Sequence, residues 1–94
     1  MKKYFVYIID AIRTSRKNLN CKVYYTGFTD NPHRRLTEHR KHIKSNFMTR
    51  WKILPRGIAY LEEVDGYFNA LKREKEIKRL PLKKKIELIN IYQH

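Results

Sequence analysis

The chain has one cysteine, three glycines, three prolines and one tryptophan among its 94 residues, and only nine acidic side chains. Cys21 alone cannot form an internal disulfide, so packing has to hold the fold, and a reducing, cytoplasmic setting is the simplest expectation. Gly27, Gly57 and Gly66 are too dispersed for a phosphate-cradling loop. No apolar run approaches the roughly 20 residues that span a bilayer. The first apolar stretch starts after Met1-Lys2-Lys3 and is cut at Asp10. It is too short for the core of a secretory leader, and no small-residue cleavage site follows. Cys/His spacing of a zinc site is missing. So are the paired carboxylates of a two-metal site. What these absences leave is chemistry built on one carboxylate and one metal.

What is abundant is positive charge. Twenty-two Lys and Arg against nine Asp and Glu give a net charge of +13. The excess is spread along the chain, 11 basic against 3 acidic in residues 1–47 and 11 against 6 in residues 48–94. A basic tail would have gathered it at one end. A folded domain with distributed positive charge meets a polyanion, and nucleic acid is the default partner. A membrane surface is disfavoured, because it needs a separate amphipathic helix with a bulky apolar face, for which Lys83 to Tyr92 is a poor match. A hydrophobic content of 41% supports a globular fold. The length sets the expectation of one domain over residues 1–94 with a thin core.

Tyr4 to Ile9 is rich in β-branched and aromatic residues and reads as a buried strand. Residues 10–21 read as a long, mobile hairpin connection, and Lys22 to Thr26 as a second strand ended by Gly27. Asn31-Pro32 is a helix start: Asn caps, and Pro suits the first helical position. The helix is expected over Pro32–Lys44, broken at Ser45-Asn46. Phe47 to Pro55 resists assignment and reads as a short loop whose Met48, Trp51, Ile53 and Leu54 pack on the core. Gly57 to Val64 is a third strand, Asp65-Gly66 a turn, and Tyr67 to Leu80 a second helix. Pro81 stops it, and Leu82 to Tyr92 is a third. The order β-β-α-β-α-α predicts an α+β (α/β sandwich) fold, a small antiparallel sheet with helices against it.

Arg35 and His39 are four residues apart and share one helix face. Arg35 carries a fork of donors matched to phosphate oxygens, and His39 exchanges a proton near neutral pH. By spacing alone a solvated surface pair is the better reading, since charge runs usually face water. In the second helix, with Tyr67 as zero, Ala70, Leu71, Ile77 and Leu80 fall at about 300°, 40°, 280° and 220°, and Glu74 at about 340°, inside the apolar arc. A carboxylate there needs a partner, either a cation in a site or Lys78 one turn on. Tyr7 and Tyr25 lie near strand ends, and Gly27 permits close backbone approach beside the second. Both tyrosines would also serve as ordinary sheet aromatics. Glu62, Glu63 and Asp65 are explained by a strand end and a turn.

Taken in order, Phe5-Val6-Tyr7, Tyr25-Thr26-Gly27, Arg35, His39 and Ala70-Leu71-x-x-Glu74-x-x-Ile77-Lys78 resemble a GIY-YIG endonuclease domain, closest to the small stand-alone members. Phe5 stands where that family carries glycine, and Phe28-Thr29 where some relatives place lysine. The connection from Asp10 to Lys22 is longer than in the small members. The resemblance implies a three-stranded antiparallel sheet flanked by about three helices. It implies hydrolysis of a DNA phosphodiester with one Mg²⁺ or Mn²⁺ held by Glu74. Tyr25, helped by Tyr7 or His39, would take the proton of the attacking water, and Arg35 would neutralise charge at phosphorus. Arg34, Arg40, Lys41 and Lys44 are the expected nucleic-acid contacts on the same helix. Branched or damaged DNA, a role in repair or recombination, and a homodimer for cutting both strands complete the expectation. The alternatives are a DNA- or RNA-binding module that has kept the fold and lost efficient catalysis, and an RNA- or ribosome-associated basic protein, with RNA ranked behind DNA.

Overall fold

The computed structural model describes residues 2–14, 20–45 and 52–93, and side chains over 2–12, 22–38 and 57–93. Six elements follow one another: β1 (Lys3–Thr14), β2 (Asn20–Thr29), α1 (Pro32–Ser45), β3 (Lys52–Asp65), α2 (Tyr67–Arg79) and α3 (Leu82–Gln93). β1 is the central strand, antiparallel to β2 on one side and to β3 on the other, in the order β2-β1-β3. The architecture is the expected α+β sandwich with a three-stranded antiparallel sheet.

The strands are longer than their composition suggests. Asp10–Thr14 was expected in a loop, yet these residues pair with both neighbours, and Ala11 is fully buried. Two-sided pairing outweighs a polar composition that reads as a turn. Residues 15–19 of that expected connection lie outside the described residues. Gly27 does not end β2: it sits opposite Tyr7, and the strand continues to Thr29. Residues 52–56, expected as loop, extend β3 against Ala11–Thr14. Pro55 is tolerated there because β3 is an edge strand. Met48 and Trp51 of that expected loop fall outside the described residues, as do the side chains of Ile53 and Leu54. Two irregularities interrupt the β1–β3 register. Ile8 faces Tyr60 and Ile9 faces Ile58, which leaves Ala59 as the extra residue of a bulge.

Alternation along β1 sends Val6 and Ile8 to one face and Tyr7, Ile9 and Ala11 to the other. All five are buried. Val6 and Ile8 form the main core with Ala59, Ala70, Ile77 and Ile89, so α2 and α3 cover that face. α1 lies over the Tyr7 face, to which Arg35 is bonded. Its start follows the sequence signal: Asn31 Oδ1 accepts the Arg34 backbone N–H at 3.1 Å. Gly66 begins α2 with φ 85°, a left-handed conformation that glycine adopts without strain. Its N–H donates to the Lys2 carbonyl at 2.9 Å, which ties the turn to the edge of β1. α2 ends at Arg79, just before Pro81, as expected. Among the described residues no helix is long and apolar enough to cross a membrane.

Candidate active site

Strand register builds the site first. Tyr7 faces Gly27 and Ile9 faces Tyr25 across the β1–β2 ladder, so the two tyrosines share one face of the sheet. Tyr7 is 4% exposed. The phenol end of its ring lies against Gly27: a Cβ built on that glycine would fall 2.7 Å from Tyr7 Cζ. Tyr25 is 38% exposed and presents its phenol to solvent.

The cap at Asn31 sets the phase of α1, and the second helical turn brings Arg35 over Tyr7. Arg35 Nε donates to the Tyr7 hydroxyl oxygen at 3.4 Å, and Nη1 donates to Glu38 Oε2 at 3.1 Å. The hydrogen bond to Tyr7, and after it the one to Glu38, raises the Arg35 guanidinium pKa above its ordinary value. The remaining fork position, Nη2, has no partner among the described residues. Arg34 is exposed and pairs with Asp30 at 3.1 Å and with Glu38 at 3.6 Å. The side chains of His39, Arg40, Lys41 and Lys44 lie outside the described residues, although their backbone continues α1.

Glu74 is on the helix layer of the opposite face, between Ala70 and Ile77, which are both fully buried. Its side chain is 14% exposed and pairs with Lys78 at 3.0 Å. The direction in which it points follows from its neighbours. Arg73 Nε reaches across to Glu62 of β3 at 2.9 Å, whereas the Tyr67 ring meets Phe28 of β2, with centroids 5.3 Å apart. Glu74 is about 20° from Tyr67 around the helix and about 100° from Arg73. It therefore looks towards β2, one of the two edge strands of the sheet. Thr26, next to Tyr25, points to this same layer, and its buried Oγ1 has no hydrogen-bond partner among the described residues. Tyr25 on one face and Glu74 on the other thus flank β2.

A divalent metal is compatible with this donor set. Mg²⁺ is held by one or two carboxylates and completes its shell with water and phosphate oxygens. Glu74 is a lone inward carboxylate with one exposed ammonium as partner, which is the kind of group that accepts such an ion. No cluster of three or more His, Cys, Asp or Glu occurs among the described residues.

Spacing placed Arg35 and Glu74 on helix faces but could not join Arg35 to Tyr7, 28 positions away. Glu38 was not singled out, although its place three residues after Arg35 was a visible signal.

A family model described as GIY-YIG catalytic domain matches residues 3–87. A UPF0213 protein of Syntrophus aciditrophicus (strain SB) is 34% identical over 89 residues, spanning 95% of this chain and 92% of its own length. A UPF0213 protein from Bacillus halodurans, solved by NMR in solution, is similar at 25% identity with a TM-score of 0.49, over 95% of this chain and 84% of that one. The matched span begins at the first residue of β1 and ends within α3, and the chain belongs to the GIY-YIG catalytic domain family of nuclease-type domains.

Proposed function

We propose that the chain is a metal-dependent endonuclease that hydrolyses phosphodiester bonds of DNA. The observation that carries this reading is the Arg35 guanidinium bonded to the Tyr7 hydroxyl over Gly27, with Tyr25 exposed on the same face. Tyr25 takes the proton of the attacking water. Tyr7 holds Arg35 in place, and Arg35 offers its open fork position to the phosphate as charge develops. Preorganised donors of this kind are usually the largest single contribution to catalysis. His39, one turn beyond Arg35, is the second group able to carry the proton. Glu74 would hold the Mg²⁺ or Mn²⁺, which supplies Lewis-acid stabilisation of the leaving oxygen. Arg34, Arg40, Lys41 and Lys44 give α1 its phosphate contacts. Such contacts carry no sequence information, so branched or damaged DNA, as met in repair or recombination, suits the site better than a fixed sequence. Cutting both strands calls for a homodimer or for two encounters.

One observation favours a second reading. Glu74 is already neutralised by Lys78, as it would be in a binding module that no longer cuts. Nicking of supercoiled plasmid by wild type, Arg35→Ala and Tyr25→Phe separates the two. The endonuclease reading expects each variant to lose about 100-fold or more in rate. Salt-sensitive binding with no nicking by wild type supports the binding module.

A further inference from the structure

α2 has an outer stripe that the candidate active site does not use. Phe68, Lys72, Lys75 and Arg79 fall between about 80° and 140° around the helix, diametrically opposite the buried Ala70 and Ile77. Phe68 is 80% exposed, although a phenyl ring gains nothing from water. It extends an aromatic cluster, with its centroid 5.6 Å from that of Tyr67, which in turn meets Tyr4 and Phe28. A depression of about 360 Å³ opens beside it, lined by Lys2, Tyr4, Gly66, Tyr67, Phe68 and Asn69. The three cations behind Phe68 are exposed, and none has an ion pair or hydrogen bond among the described residues. Of the acidic residues of α2, Glu74 is on another face and pairs with Lys78, and Glu76, which borders the stripe, is taken by Arg73.

We propose that this stripe is a second nucleic-acid contact, one that holds a single-stranded segment of DNA, with Phe68 stacking on an unpaired base and Lys72, Lys75 and Arg79 following the phosphates. The stripe is about 16 Å long, the reach of a few nucleotides. A row of unpaired cations would serve any polyanion. The exposed ring is what selects a strand with free base faces, because a duplex has its bases already stacked. The ring is about 9 Å along the helix axis from Glu74. The inference goes beyond the endonuclease reading and does not need it, since the contact is made with or without catalysis.

The test is fluorescence anisotropy in EDTA with two labelled DNAs: a blunt duplex, and the same duplex with a single-stranded overhang. Wild type, Phe68→Ala, Phe68→Trp and the double variant Lys72→Gln/Lys75→Gln are compared, with circular dichroism confirming that each is folded. The expected result is that wild type prefers the overhang substrate and that Phe68→Ala weakens this binding by roughly 10-fold while leaving the duplex unchanged. Phe68→Trp restores the preference. The double variant lowers the salt dependence of overhang binding by about two phosphate contacts. Equal affinity of wild type for the two DNAs overturns the proposal. So does a Phe68→Ala effect that is the same on both, or Phe68→Ala binding both DNAs like wild type while losing self-association in sedimentation, which would make the stripe a contact between copies.

Discussion

Tyr7 and Gly27 face each other across the β1–β2 ladder, and the phenol occupies the space that any larger residue at position 27 would fill. The glycine is thus a seat for the Tyr7 ring, and the ring in turn positions Arg35. Gly27→Ala must push Tyr7 aside, because its ring is buried and cannot turn freely into solvent. The expected cost in stability is about 1–3 kcal/mol, as for other overpacked sites. The expected loss of plasmid-nicking rate is larger than that figure explains, because the Arg35 hydrogen bond goes with it. Thermal unfolding and nicking, measured on the same protein, check the pair of effects.

On the proposed reading, Glu38 would compete with substrate for Arg35. It accepts from Nη1 at 3.1 Å and also pairs with Arg34. Glu38→Gln removes a negative charge from beside both guanidinium groups, while Arg34 keeps Asp30 and Arg35 keeps Tyr7. Exposed ion pairs of this kind contribute about 0.2–1 kcal/mol. DNA affinity is therefore expected to rise by about 2- to 5-fold at low salt, with the gain fading as salt is added. Titration of one duplex at two ionic strengths tests this.

Arg73 belongs to the framework and not to the chemistry. It bonds both carboxylate oxygens of Glu62, at 3.2 and 2.9 Å, and Glu62 also accepts from the Tyr60 hydroxyl at 2.6 Å. Glu62, and after it Glu76, raises the Arg73 pKa far above its ordinary value. Burial, followed by the bond to Glu62, raises that of Tyr60. Arg73→Ala leaves a half-buried carboxylate without its cation. The expected loss is about 1.5–3 kcal/mol, which corresponds to a drop of several degrees in Tm. Nicking rate per folded molecule should not change.

The start of β1 carries an acid-sensitive pair of clasps. Lys2 pairs with Asp30 at 2.9 Å, and Lys3 with Asp65. The hydrogen bond from each lysine lowers the pKa of its carboxylate below the ordinary 3.8. A depressed folded pKa stabilises the fold above the unfolded value, and that contribution is lost as pH falls through the folded one. Tm should therefore hold above about pH 5 and fall as the pH drops below about 4. In Asp30→Asn/Asp65→Asn the fall in this window should be smaller, as a Tm series from pH 7 to 3 would record.

Much of this was legible from residue types. Asn31-Pro32 and Pro81 mark real helix limits, because capping and ring sterics are local. Strand extent was not, because pairing is non-local. Asp10–Thr14 looks like a loop until β2 and β3 lie on either side of it. Gly27 looks like a strand end until Tyr7 is seen to need its missing side chain. For Glu74, periodicity left two readings, an inward carboxylate awaiting a cation or a pair with Lys78. The structure has the inward orientation and the pair together, because a lysine one turn on can reach it while keeping its ammonium exposed. The Tyr7–Arg35 bond was invisible, since no local rule joins a strand to a helix that starts two elements later.

The central claim is that Glu74 holds a metal for cutting DNA. Nicking of supercoiled plasmid by wild type and Glu74→Ala, in Mg²⁺ or Mn²⁺ and in EDTA, tests it most directly, with plasmid binding measured alongside. The account expects metal-dependent nicking by wild type, none in EDTA, and none by Glu74→Ala, whose DNA binding is unchanged or tighter. Nicking by Glu74→Ala at the wild-type rate, or by wild type at full rate in EDTA, would contradict it.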